Sequence, residues 1–146
     1  MKALAPLVLL LLLCPPFLAH AREWNGIAPG KATASTVKKR FGEPTQTKKK
    51  GETTILSYSG EKAIEGTRQT NFYVGAGGVV HEIHVFPKAR IDLETVVNTF
   101  GKKFVKRMTD TFRTYLFYEG QGLVVFLDEE GKAVYSIVFT EARGGG

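Results

Sequence analysis

Two kinds of hydrophobic spacing alternate along this chain, and the alternation runs through twice. Val37 and Phe41 stand four apart, the spacing of one helical face, and Gly42 and Pro44 end that pattern. Leu93, Val96, Val97 and Phe100 make a second stripe, closed by Gly101. Thr33 or Ser35 is placed to accept the free amide hydrogens of the first helix, and Asp92 those of the second. Asp92 and Glu94 also suit the positive end of the helix dipole. After each helix the period shortens to two. Strands are expected over 53–59, 69–75 and 79–86, then over 112–118, 123–128 and 133–140. The glycine-bearing segments 75–78 and 128–131 read as hairpin turns, which make their neighbours antiparallel. Between its first two strands the first set has a longer connection, Glu61 to Arg68, where the second has Gln121-Gly122.

The repetition is visible in the residues themselves. T-V-x-x-x-F-G occurs at Thr36–Gly42 and Thr95–Gly101, L-x-Y-x-G at Leu56–Gly60 and Leu116–Gly120, and G-x-x-V-x-x-I at Gly77–Ile83 and Gly131–Ile137. Three matches in one order at nearly constant spacing point to an internal duplication. The expected fold is α+β: two tandem αβββ units, 32–90 and 91–143, with antiparallel strands and helices packed on one face of the sheet. A lead, 22–31, precedes them, and a glycine tail, 144–146, follows.

The first twenty-one residues read as an export signal. Lys2 is the basic start, Ala3 to Leu13 the apolar stretch, Pro15-Pro16 a helix breaker, and Ala19-His20-Ala21 an A-x-A cleavage site. The apolar stretch is shorter than the roughly 20 residues that span a bilayer, and no later segment is long and apolar enough to do so. Lipid attachment at Cys14 is disfavoured, because Leu13 stands where a small residue is required and two prolines follow. Cys14 is the one cysteine, so cleavage after Ala21 removes any route to disulfides or thiolate metal sites. Stability must then come from the core; the sequence holds ten Phe, of which Phe17 lies in the signal, five Tyr and one Trp. The formal charge of +6 favours anionic surfaces without choosing among them.

Gly30-x-x-Thr33-x-x-x-Val37-x-x-x-Phe41-Gly42-x-Pro44 resembles the helix-opening motif of the SmpA/OmlA (BamE-like) family of small outer-membrane assembly lipoproteins. The duplicated plan resembles the secreted beta-lactamase inhibitor proteins, whose concave, helix-free sheet face carries the partner contacts. The resemblance implies an exported binding or assembly protein of the envelope. It departs from the first family at Cys14 and from the second in having no mature cysteines, so neither family's specific activity transfers.

Candidate chemistry is sparse. His81-Glu82-x-His84 offers metal-ligand types, but regular strand alternation would send the two imidazoles to opposite faces. There is no G-x-S-x-G elbow, and the glycines at 75, 77 and 78 lie in a hairpin rather than before a helix. Asp128-Glu129-Glu130 lacks calcium-loop spacing and reads as a solvated turn. No cofactor or metal is expected, and the protein is read as non-enzymatic. Two surfaces remain. If the repeated Leu and Tyr residues face the helices, then Ile55, Tyr73, Arg113, Tyr115, Phe117 and Val125 look out of the open face while Phe72 and Phe126 pack inward. Such a patch suits a protein partner, unless the lead through Trp24 or the 61–68 loop covers it. Alternatively, Lys38, Lys39, Arg40, Lys48, Lys49, Lys50, Lys102, Lys103, Lys106 and Arg107 form one basic rim for anionic lipid or cell-wall polymer. An export signal without a stacking motif argues against nucleic acid.

Overall fold

The computed structural model describes residues 21–142; Cys14 with all but the last residue of the expected export signal, and the glycine tail, lie outside the described residues. Its elements run α1 (Ala34–Phe41), β1 (Gln46–Lys50), β2 (Thr53–Ser59), β3 (Thr67–Val74), β4 (Val80–Pro87), α2 (Leu93–Phe100), β5 (Val105–Met108), β6 (Thr114–Tyr118), β7 (Leu123–Leu127) and β8 (Val134–Thr140). A short 3-10 turn follows β2 (Gly60–Lys62) and another follows β6 (Glu119–Gln121).

All eight strands join one antiparallel sheet in the order β1-β2-β3-β4-β8-β7-β6-β5. Each half is therefore a four-stranded meander, and the two meet where β4 pairs with β8. This overturns the expected αβββ units and the balanced α+β class. The segments Gln46–Lys50 and Val105–Met108 carry no buried residue, so no alternating pattern announced them; they are nonetheless the two edge strands. An edge strand needs backbone pairing on one side only, and lysine is tolerated there where a central strand would exclude it.

Both helices have eight residues and contribute one buried residue each, Val37 and Val96. They start as expected: the Thr33 hydroxyl accepts from the Thr36 amide, and the Asp92 carboxylate from the Thr95 amide (2.8 Å). They end at Gly42 and Gly101, with φ 82° and 94°, values that cost little only without a Cβ. The repeated tyrosines tie these ends to the sheet. Tyr58 donates its hydroxyl to the Gly42 carbonyl (2.8 Å), and Tyr118 donates to the Gly101 carbonyl (2.9 Å). Each helix entry also bridges to the residue just before the last strand of its own half, Thr33 opposite Val79 and Asp92 opposite Ala133.

One sheet face carries the core: Leu56, Tyr58, Phe72, Val74, Ile83, Val85, Leu116, Tyr118, Leu123, Val125, Leu127, Ile137 and Phe139 are all buried. Its cover is assembled from short pieces rather than from two broad helices. The lead turns tightly at Asn25-Gly26 between the bridged residues Trp24 and Ile27, both turn residues being left-handed (φ 47° and 79°). Ile27 is fully buried, and Trp24 packs against Phe41 and Phe72 at 6.0 Å. Arg22, before it, lies over the Phe100 ring (5.1 Å) and donates to the Gln121 side chain. The lead thus touches both halves. Ile64, from the connection between β2 and β3, joins the same cluster.

Candidate functional site

The opposite face of the sheet is assembled by register. Residues paired across antiparallel strands share a face, so Ile55, Tyr73 and Glu82 form one row, and Asn71, His84, Val138, Val124 and Phe117 the next. Phe126 and Tyr115 pair in a third row, their rings 5.5 Å apart, with Ser136 beside Phe126. Tyr135 sits at the same end, edge-on to Phe86 (5.7 Å) and beneath the Arg113 guanidinium (4.0 Å). Arg113 is fixed there by donating to the Leu127 carbonyl (3.2 Å). Trp24 and Ile64 both pack on the core side, so neither the lead nor the connecting loop covers these aromatics.

Of the predicted face residues, Tyr73, Arg113, Tyr115 and Phe117 are half-buried on this open side, as is Ile55. Val125 is not: it is fully buried in the core, paired with Leu116 and Ile137. Phe126, expected inside, takes its place on the open face. The cause is a register difference of one residue. Leu56 pairs with Phe72 in the first half, whereas its counterpart Leu116 pairs with Val125. Placing Phe126 inward as the counterpart of Phe72 shifts β7 by one position, and one position exchanges its faces. Sequence matching missed Phe126, Phe86 and Tyr135; the period-two pattern Leu123, Val125, Leu127 was the available signal for Phe126.

The histidines are corrected in the same way. Tyr73 pairs with Glu82 but Val74 pairs with Val80, so His81 is an extra residue in a β-bulge. The bulge cancels the alternation, and His81 and His84 both approach the Tyr73 ring, at 6.5 and 4.3 Å between centroids. His84 Nε2 lies 2.8 Å from the Glu82 carboxylate. That hydrogen bond, aided by the charge attraction of both imidazoles, holds the Glu82 carboxyl below the usual range despite partial burial. Among the described residues, no group of three or more His, Cys, Asp or Glu is placed to hold a metal. An open groove of about 680 Å³ runs along this part of the face, lined by His81, Glu82, Phe117, Val124 and Thr140.

The basic residues do not make one rim. Lys38, Lys39 and Arg40 lie on α1, and Lys48, Lys49 and Lys50 on the β1 edge. Lys102 and Lys103 precede β5, and Lys106 and Arg107 lie on it, at the other edge of the eight-stranded sheet. With neighbouring strands about 4.8 Å apart, the edges stand roughly 30 Å from each other. Asp128, expected as a solvated turn residue, does more. Its carboxylate accepts from the Lys132 and Ala133 amides, which closes the β7–β8 hairpin and lowers its pKa.

No protein-family model matches this chain, and no curated protein matches it. Solved structures do share its fold. A DUF4309 family protein from Bacillus subtilis superposes with TM-score 0.56 at 14% identity, covering 84% of this chain and 88% of that one. A cysteine-rich secretory protein from Staphylococcus aureus superposes with TM-score 0.50 at 12% identity, covering 84% of this chain but 47% of its own length. An extracellular protein with an SCP domain from Bacillus anthracis gives TM-score 0.48 at 13% identity over 75% of this chain and 43% of that one. At these identities the first two likenesses show the fold alone, and the third, with a TM-score below 0.5, carries no argument. None of the three is described as an outer-membrane assembly lipoprotein or a beta-lactamase inhibitor.

Proposed function

We propose that this protein is an exported, non-catalytic binding module that engages a protein partner through the open face of its sheet. One observation carries the reading. Tyr73, Phe86, Tyr115, Phe117, Phe126 and Tyr135, drawn from five strands, gather on one side of a single sheet together with Arg113. Aromatics with an arginine give large contact area at small cost in side-chain entropy, and such residues dominate the energetics of interfaces. Strands hold them in fixed register, so the surface is preorganised. Export is supported by the N-terminal signal pattern.

The test is capture from the secreted and envelope fraction of the source cell by immobilised protein. Alongside the wild type run a Tyr73→Ala, Tyr115→Ala, Phe117→Ala variant and a Lys38→Ala, Lys39→Ala variant on the helix side. A protein retained by the wild type and the helix-side variant, but lost by the triple variant, is the expected result. Equal retention by all three would place binding elsewhere and refute the reading.

A further inference from the structure

The two edges of the sheet are unalike. β1 offers Gln46, Thr47, Lys48, Lys49 and Lys50, all exposed and none apolar, which is how an edge is kept from pairing with another chain. At the other edge, β5 and its hairpin hold three of the four exposed large hydrophobics among the described residues. These are Val105 (48% exposed), Met108 (60%) and Phe112 (83%), and the fourth, Tyr135, lies under Arg113 at the base of the same hairpin.

The hairpin is built to hold that surface out. Thr109 donates its amide to the Arg113 carbonyl and Phe112 donates to the Thr109 carbonyl, both at 2.9 Å, while the Thr109 hydroxyl accepts from the Arg113 amide (3.0 Å). Phe112 occupies the left-handed position of this loop at φ 61°, where glycine or asparagine is the unstrained choice. The same bonds set the edge. Because Thr109 and Arg113 are a hydrogen-bonded pair, alternation makes Arg107–Tyr115 and Val105–Phe117 bonded pairs also. The amide and carbonyl of Lys106 and of Met108 therefore point away from β6, free to pair with a further strand.

We infer that β5 is a strand-addition site for an extended segment of a partner protein whose core reads apolar–acidic–acidic–apolar. An antiparallel ninth strand would set its four residues opposite Met108, Arg107, Lys106 and Val105 in turn. Lys106 and Arg107 call for the two acids, with Lys102 and Lys103 adding to the local positive field. Val105 and Met108 call for the apolar ends, and backbone pairing supplies the remainder. A second copy of this chain fits poorly, since antiparallel β5–β5 pairing would bring the Lys106 and Arg107 charges of the two copies together. The inference goes beyond the open-face reading: it stands or falls on the β5 backbone and its two cations.

The probe is a capped, fluorescein-labelled octapeptide centred on valine–glutamate–glutamate–valine, read by anisotropy against the purified protein. A control peptide carries lysines for the glutamates. Met108→Pro removes an outward amide and leaves the β5–β6 ladder intact, since that amide takes no part in it. We expect the acidic peptide to bind the wild type, binding to weaken at least about tenfold in Met108→Pro, and salt to weaken it further. The double variant Lys106→Glu/Arg107→Glu keeps the edge without relying on proline, and should reverse the preference in favour of the lysine peptide. Absence of binding to the wild type at millimolar protein would overturn the inference. So would equal binding by both variants, or sedimentation of the peptide-free wild type as a dimer that Met108→Pro dissociates.

Discussion

Tyr58→Phe and Tyr118→Phe probe the duplication at the level of single hydrogen bonds. Each hydroxyl belongs to a buried ring and donates to a glycine carbonyl that ends a helix, at 2.8 Å for Gly42 and 2.9 Å for Gly101. The ring contacts are also matched, with Phe41 and Phe100 each 6.0 Å from their tyrosine and edge-on. Phenylalanine keeps the ring and deletes the donor, leaving a part-buried carbonyl without its partner. A neutral hydrogen bond contributes about 1 kcal/mol net, and an abandoned acceptor raises the loss toward about 2 kcal/mol. We expect each single variant to lose about 1–1.5 kcal/mol, and the double variant the sum within about 0.5 kcal/mol, because the two sites share no partner. Urea unfolding at neutral pH measures this, with the slope m unchanged and the midpoint lowered. The pH dependence gives a second arm. Burial raises the pKa of both hydroxyls, with the Glu43 charge adding to the effect at Tyr58. The native state therefore holds its phenolic protons after the unfolded chain, titrating near pH 10, has released them. Stability should fall as pH rises above about 10, and the double phenylalanine variant should flatten that fall. Variants as stable as the wild type, or losses unequal by more than about 1 kcal/mol, would refute the idea that the two tyrosines do one job twice.

Val125→Ala should cost about 2 kcal/mol, from lost burial plus the residual cavity, whereas Phe126→Ala should cost less despite its larger ring; urea midpoints decide which residue faces the core. Phe112→Gly should stabilise the protein by about 0.5–1 kcal/mol through relief of the left-handed backbone, while Phe112→Ala should leave stability nearly unchanged, as read by thermal unfolding. Glu82 contributes stability that is present above its unfolded pKa and lost as pH falls through its lowered folded pKa, so Glu82→Gln should remove that part of the acid dependence in a pH series of urea midpoints.

By itself the sequence determined the elements whose signal is local. Both helices lie where Thr33, Asp92, Gly42 and Gly101 bound them, because caps and left-handed glycines act within one turn of chain. The six alternating strands were legible for the same reason, and so were Tyr73, Tyr115 and Phe117 as residues of the face away from the core. Tertiary structure decided the rest. Edge strands β1 and β5 bury nothing, so no hydrophobic period marks them, and only pairing with β2 and β6 makes them strands; with them the fold changes from a helix-bearing α+β plan to an eight-stranded sheet. A bulge at His81 and a one-residue offset at β7 depend on which residues meet across strands, yet they choose the faces of His81, Val125 and Phe126. Side-chain direction in a strand has period two, so any extra or shifted residue reverses it, and pairing partners far away in sequence fix that register.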